Sequence, residues 1–245
     1  MSTETSQNDI DKYDKPLPLW SRALIPVYIS IMFIIILFPF AQDWAWIEAW
    51  LFIISFVINI TISFYLINKK NPRVLRNRMK VKKVGVTEKT KSSAGSDKFI
   101  MPLLSIGFIG ALILPIFDYR NQWSSIPFTM EIIGLVFFNI GLVIMDIAMV
   151  QNAYASKLLD INKDQKLIDT GLYSHVRHPL YSGAVLMILG LPIALGSWIS
   201  LIPAAIAVLA ILIRIKFEEE MLIKGMDGYI EYRTRVKYKL IPKIY

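Results

Sequence analysis

One uncharged stretch decides the fold of this chain: it spans residues 180–213 and reads LYSGAVLMILGLPIALGSWISLIPAAIAVLAILI. As a single helix with a rise of 1.5 Å per residue it would be about 51 Å long, whereas the hydrocarbon core of a bilayer is roughly 30 Å thick. The stretch must therefore fold back on itself. Pro192, Gly196 and Pro203 are residues of the type that interrupts helices. We predict a tight helical hairpin that turns near Gly196 and Ser197.

Four further apolar stretches precede this hairpin, and each is long enough to cross a bilayer as a helix. They are residues 23–42, 49–68, 99–117 and 127–150. The composition agrees, because 55% of the 245 residues are hydrophobic and the mean hydropathy is +0.49, which leaves too little polar surface for a water-soluble domain. We predict an all-α fold: a polytopic membrane helix bundle with about six membrane helices, including the C-terminal hairpin.

Lysine and arginine lie almost entirely on one side of this predicted bundle. The chain has 27 Lys and Arg residues against 19 Asp and Glu residues, and all the basic residues except Arg120 fall before the first apolar stretch (residues 1–22), in residues 69–98, in residues 151–179 or after residue 213. The positive-inside rule then predicts a multi-pass membrane protein with both termini in the cytoplasm. Because topology explains the basic charge, we expect membrane lipids as partners and no nucleic acid.

The same pattern divides the chain into four regions. Residues 1–15 are polar and acid-rich and lack the features of a signal peptide, so we predict a disordered cytoplasmic tail over residues 1–20. An N-terminal membrane hairpin follows at 21–68, then a basic cytoplasmic loop at 69–98, and finally a membrane core with a cytoplasm-facing site at 99–245.

Two polar blocks flank the C-terminal hairpin. The first is GLYSHVRHPLYSG at residues 171–183, which contains both histidines of the chain, and the second is RIKFEEEML at residues 214–222. The predicted hairpin brings the two blocks together at one membrane face. Histidine, arginine, tyrosine and glutamate beside an apolar wall indicate a site where a polar reagent acts on a lipid-like molecule.

Each block also has a plainer explanation. His175 and His178 have a spacing that holds metal ions on helices, but Pro179 disfavours a regular helix through them and the chain has no Cys. We therefore predict no metal site. Arg177 and Arg214 also fit the role of anchors at the membrane surface, and the three consecutive glutamates of the second block also fit a solvated helix face.

In order and spacing, these motifs resemble the isoprenylcysteine carboxyl methyltransferase family. The shared pattern is Gly-x-Tyr, Arg-His-Pro-x-Tyr-x-Gly, a hydrophobic hairpin, Arg-x-x-x-Glu-Glu-x-x-Leu, Tyr-x-x-Tyr and a terminal Ile-Pro. In this chain it comprises Gly171, Tyr173, residues 177–183, Arg214, Glu218, Glu219, Leu222, Tyr229, Tyr232, Ile241 and Pro242. The resemblance covers roughly residues 130–245, and Leu172 stands where many relatives carry proline.

This resemblance implies an integral-membrane methyltransferase whose core, within residues 99–245, binds S-adenosylmethionine in a cytoplasm-facing pocket. By the same resemblance, the residues that bind the cofactor are Gln165, Lys166, Leu167, Ile168, Tyr173, His178, Pro179, Leu180, Tyr181 and Glu218. Arg214 matches the position that contacts the substrate in the family.

The identity of the methyl acceptor is left open by these motifs, since related enzymes act on carboxylates, phospholipid amines or small thiols. A carboxylate with a pKa near 4 is ionised at neutral pH and needs no general base. We expect Arg214, together with Arg177, to act as catalytic residues that clamp such a carboxylate. We predict that the acceptor is a lipophilic or prenylated molecule, and the acceptor that we favour is the carboxylate of an isoprenylcysteine or a similar molecule. A phospholipid amine, a small thiol and a non-catalytic lipid-binding protein remain alternatives, and the oligomeric state is open.

Overall fold

The computed structural model describes residues 16, 18–70, 72, 91–152 and 166–245 of the chain. In this part the α-helices are α1 (Leu19–Ala41), α2 (Ile47–Lys70), α3 (Lys91–Asn121), α4 (Phe128–Gln151), α5 (Pro179–Ala194), α6 (Leu201–Gly225) and α7 (Tyr229–Arg235), with a short 3-10 helix at Gly171–Ser174. The described residues contain no strand. The predicted all-α membrane helix bundle is confirmed.

Helices α1 to α4 are each long and apolar enough to cross a membrane. Helix α5 is shorter, since its 16 residues extend only about 24 Å, and helix α6 becomes charged in its second half. These last two helices form the predicted hairpin. Gly196 lies between them with a φ of +77°, a left-handed conformation that glycine adopts without the steric cost of a Cβ atom.

Small residues let the helices of the bundle approach closely. Helix α4 packs mainly against α5, and α3 packs mainly against α6. A Cβ atom on Gly183 of α5 would lie 2.5 Å from the carbonyl oxygen of Gly141 on α4, and the reverse contact is equally short. Between α3 and α6, a Cβ atom on Gly107 would lie 2.7 Å from the backbone nitrogen of Ala207. Such contacts are typical of helix pairs in membranes, where close van der Waals packing drives association.

The bundle has two chemically different ends. One end, which we call the opposite end because it lies across the bundle from the polar blocks, is marked by Asp118. Its buried carboxylate accepts hydrogen bonds from the hydroxyl groups of Ser124 and Ser197. The hydroxyl of Tyr119 donates to Asp43 there at 2.7 Å. This bond, together with the backbone N–H of Ala45, lowers the pKa of Asp43. The other end, which we call the basic end, holds both polar blocks.

The boundary of the predicted basic loop differs in the structure. Helix α3 begins at Lys91, whereas the sequence prediction ended the loop at residue 98 and began the helix at Phe99. Polarity was a poor guide here, because the lysine, serine, alanine and aspartate of 91–98 are compatible with a helix that continues beyond the bilayer. Residues 1–15 and 17 of the predicted tail (1–20), most of the basic loop (71 and 73–90) and Gln165 lie outside the described residues. Helix α1 already begins at Leu19, within the last two residues of the predicted tail.

Candidate functional site

The first polar block is shaped by a turn, a short helix and a proline. Gly171 begins the 3-10 helix with a φ of +62°, and the backbone N–H of Leu172 donates to Oε1 of Gln151 at the end of α4, at 3.0 Å. His178 is the N-cap residue of α5, and Pro179 is its first residue. Proline suits this position because the first helical N–H has no partner within the helix. The predicted interruption of the helix at Pro179 is confirmed.

The two polar blocks meet at the basic end of the hairpin. The hydroxyl of Tyr181 on α5 donates to Oε2 of Glu218 on α6 at 2.6 Å and accepts a hydrogen bond from Nε of Arg214 at 2.8 Å. Nδ1 of His178 lies 3.8 Å from Oε1 of Glu218, and the rings of His178 and Tyr181 are 5.8 Å apart between centroids. A carboxylate, a phenol, an imidazole and a guanidinium are therefore grouped on two helix ends, as the hairpin predicted.

The guanidinium of Arg177 forms its hydrogen bonds with other groups of the protein. Its Nε donates to Oε1 of Glu219 at 2.6 Å, and its Nη1 donates to the carbonyl oxygens of Val236 and Lys237 at 2.7 and 2.8 Å. Arg177 and Glu219 are both buried. This geometry ties the start of α5 to α6 and to the C-terminal segment, which is a positioning task. A clamp on the acceptor by Arg177 stays a prediction.

Glu219 is an ionised carboxylate within this buried network. Burial opposes its ionisation, but the hydrogen bonds from His178 and Arg177 outweigh burial and lower the pKa of Glu219 to about 2. Nε2 of His178 lies 3.3 Å from Oε1 of Glu219. Nζ of Lys239 lies 3.9 Å from Oε2, and the buried hydroxyl of Tyr229 lies 3.4 Å from Oε1. At neutral pH the negative charge of Glu219 therefore balances the buried charge of Arg177.

An aromatic cluster next to this network holds the loop that precedes the 3-10 helix. Tyr229 and Tyr232 of α7 are buried together with Val236, and Leu167 packs against them. The hydroxyl of Tyr232 donates to the carbonyl oxygen of Tyr173 at 2.7 Å, and the hydroxyl of Tyr173 accepts from Nδ2 of Asn152 at 3.3 Å. Burial raises the pKa of both Tyr229 and Tyr232, so these hydroxyls remain hydrogen-bond donors. The cluster thus joins α7 to the predicted cofactor-binding segment.

Arg214 has a further partner that the sequence did not reveal. Its Nη1 lies 3.4 Å from Oδ1 of Asp97 on α3 and contacts the sulfur of Met101. Both Arg214 and Asp97 are buried. The sequence patterns did not identify Asp97 as a site residue, because it falls at the end of a segment rich in lysine and arginine. Its position directly before an apolar stretch was the available signal, since that places an acid at the same membrane level as Arg214.

The remaining predicted site residues lie around this centre. Lys166 is exposed, whereas Leu167, Ile168 and Leu180 are half-buried and Pro179 is buried. The ring of His175 is exposed and makes hydrogen bonds within its own turn, to Gly171 and Ser174. The two histidine rings therefore have different partners. Among the described residues, no three His, Cys, Asp or Glu side chains form a group that could hold a metal ion.

Comparisons with known proteins agree with this reading of the sequence. Residues 129–226, which include both polar blocks, match the family model described as "Phospholipid methyltransferase". A protein-S-isoprenylcysteine O-methyltransferase of Schizosaccharomyces pombe (strain 972 / ATCC 24843) is 35% identical over 77 residues, which are 31% of this chain and 33% of that protein. The match thus spans about a third of the length of this curated relative.

Among solved structures, the chain is similar to the eukaryotic intramembrane Ras methyltransferase ICMT (isoprenylcysteine carboxyl methyltransferase), with 17% sequence identity and a TM-score of 0.44. The alignment covers 93% of this chain and 88% of that chain. The family model and the curated relative together confirm the family resemblance that the motifs on either side of the C-terminal hairpin indicate.

Proposed function

We propose that this chain is an integral-membrane methyltransferase that transfers a methyl group from S-adenosylmethionine to the carboxylate of a lipophilic acceptor such as an isoprenylcysteine. The observation that carries the proposal is the grouping of Arg214, Tyr181, Glu218 and His178 where α5 and α6 meet at the basic end. The family resemblance supports the reaction class, and the apolar bundle around the site supports a lipophilic acceptor.

The residues at this site fit the proposed cofactor. Glu218 is partly exposed, with a quarter of its side-chain surface accessible, so its carboxylate is available to hydroxyl and ammonium groups of a ligand. The ring of Tyr181 and the imidazole of His178 provide flat surfaces beside it. When bound, S-adenosylmethionine supplies an activated methyl group, and transfer then requires a nucleophile held in line at about 3 to 3.5 Å.

The task of the protein in this proposal is to bind and orient. Arg214 holds the acceptor carboxylate, and Glu218 and His178 hold the cofactor. The pair of Arg177 and Glu219 fixes the start of α5 against α6 and the C-terminal segment. Arginine suits a carboxylate because its planar guanidinium presents paired N–H donors. The bulky apolar part of the acceptor enters from the bilayer, and the cofactor enters from the cytoplasm, which the basic end faces by the positive-inside rule.

A phospholipid amine is the second candidate acceptor, and the description of the matched family favours it. An ammonium group must lose a proton before it attacks, so this reaction requires a base. Glu219 is a poor base because its pKa is about 2. His175 is bonded within its own turn. The carboxylate acceptor needs no base, and for that reason we prefer it.

The experiment that tests the proposal is methyl transfer by the purified protein in detergent or nanodiscs. S-adenosylmethionine with a labelled methyl group is incubated with a prenylcysteine, with phosphatidylethanolamine or with a small thiol, and transfer of label is measured. We expect label on the prenylcysteine, as a base-labile methyl ester. Label on phosphatidylethanolamine alone would establish the second candidate, and no transfer to any acceptor, with no binding of S-adenosylhomocysteine, would contradict a methyltransferase.

A further inference from the structure

The guanidinium of Arg214 is held at two points by residues of two other helices. Its Nε donates to Tyr181 of α5 at 2.8 Å, and its Nη1 lies 3.4 Å from Asp97 of α3. Arginine has five N–H donors in a fixed plane. Because one contact lies at the Nε end and the other at Nη1, the plane of the guanidinium is fixed by both together.

The charges around Arg214 also affect how strongly the site attracts an anionic acceptor. Asp97 contacts the guanidinium directly, and Glu218 lies one hydrogen bond further away, through Tyr181. Both Asp97 and Arg214 are buried, so their charges are weakly screened by water. A carboxylate that approaches Arg214 is attracted by the guanidinium and repelled by Asp97.

We propose that Asp97 is a positioning residue for Arg214: it fixes the guanidinium for methyl transfer and at the same time weakens the affinity of the site for the acceptor carboxylate. This inference rests on the proposed function. It predicts opposite effects on two kinetic parameters. Removing the charge of Asp97 frees the guanidinium to attract the acceptor more strongly, but leaves that guanidinium less well oriented.

The test is the steady-state kinetics of Asp97→Asn with an N-acetylated S-prenylcysteine as acceptor. We expect the acceptor KM to fall by about threefold or more, because repulsion of the carboxylate is lost. We expect kcat to fall by about threefold or more, because small errors in the position of a reacting group slow the transfer step. The affinity for S-adenosylhomocysteine, measured by calorimetry, is expected to remain within about twofold of the wild-type value.

Two further variants separate positioning from general damage to the fold. Asp97→Glu keeps the charge and is expected to restore the acceptor KM. Asp118→Asn removes a buried carboxylate from the opposite end of the same helix, about 32 Å away along α3, and is expected to lower thermal stability without lowering the acceptor KM. If Asp97→Asn is not recovered folded, Asp97→Ser takes its place, since it also removes the charge.

The outcomes distinguish this inference from the proposed function. A wild-type protein that methylates no carboxylate acceptor contradicts the proposed function and, with it, the role of Asp97. An active wild-type protein whose Asp97→Asn variant has an unchanged or higher acceptor KM contradicts only the role of Asp97. A lower KM that Asp97→Glu also shows would contradict the charge argument.

Discussion

Glu218 and Glu220 are two glutamates of the same helix with different surroundings. Glu218 accepts a hydrogen bond from Tyr181 and lies near His178, whereas Glu220 is exposed. If Glu218 binds the cofactor, Glu218→Gln removes a charge-assisted hydrogen bond of roughly 1.5 to 3 kcal/mol, and affinity for S-adenosylhomocysteine falls about 10-fold to 150-fold. Calorimetry measures this change, with Glu220→Gln as the control that keeps wild-type affinity. Equal affinities in the two variants would remove Glu218 from the cofactor site.

Arg214 and Lys216 are likewise a matched pair on α6. Arg214 is buried between Tyr181 and Asp97, and Lys216 is exposed. Arg214→Lys keeps the positive charge but loses the planar fork, so we expect kcat/KM to fall about 10-fold or more while S-adenosylhomocysteine binds within a few-fold of wild type. Lys216→Arg, the reverse exchange, should leave both quantities unchanged. Wild-type turnover in Arg214→Lys would make Arg214 a membrane anchor and would favour an amine or thiol acceptor.

At the scale of elements, the network around Glu219 joins the start of α5, the second half of α6 and the C-terminal segment. The pKa of Glu219 is about 2, whereas an unfolded chain has a glutamate pKa near 4.3. The ionised group therefore stabilises the folded state above pH ~4.3. That stabilisation is lost as the pH falls through the interval from about 4.3 to 2.

This linkage predicts a specific pH dependence of stability. Glu219→Gln leaves the buried charge of Arg177 without its counter-charge, so we expect the thermal midpoint of the detergent-solubilised protein at pH 7 to fall, by a destabilisation of roughly 3 kcal/mol. Between pH 5 and pH 3 the wild-type midpoint should fall more steeply than that of the variant. Glu220→Gln serves as the control with the wild-type profile, and parallel pH profiles for wild type and Glu219→Gln would contradict the linkage.

The contact between α4 and α5 depends on two glycines. A Cβ atom at Gly183 would lie 2.5 Å from the carbonyl oxygen of Gly141, which is backbone and has no rotamer to adopt. Gly183→Ala gains up to ~1 kcal/mol of helix propensity, but the forced separation of the helices costs more, and we expect a net loss of roughly 2 kcal/mol. Thermal unfolding in detergent measures it. Leu189→Ala, on the exposed face of α5, should change stability less, and a Gly183→Ala protein of wild-type stability would show that the helices separate freely.

At the scale of the whole molecule, the asymmetry of Lys and Arg predicts which end of the bundle faces the cytoplasm. Ser125 is exposed near the opposite end, and Thr234 is exposed on α7 at the basic end. The chain contains no cysteine, so a single cysteine at either position reports its own side of the membrane. In intact cells we expect a membrane-impermeant maleimide to label Ser125→Cys and to label Thr234→Cys only after the membrane is permeabilised. Labelling of both from the same side would contradict the topology.

The sequence by itself determined the features that depend on local composition and length. A stretch of residues 180–213 without charge cannot cross a bilayer once as a straight helix, so the hairpin and the meeting of the two polar blocks followed from chain length alone. Pro179 ended any helix through the two histidines for an equally local reason, the missing N–H and the fixed φ of proline.

Only the tertiary structure decided which charged group meets which. The sequence analysis placed Arg177 beside Arg214 in one predicted clamp, but Arg177 pairs with Glu219 and two backbone carbonyls, while Arg214 contacts Tyr181 and Asp97. These pairings depend on the rotation of each helix about its axis and on the close approach of neighbouring helices. Helix rotation and interhelical distance are set by packing between residues far apart in the chain. A helix that is apolar on all sides has no hydrophobic pattern from which they could be predicted.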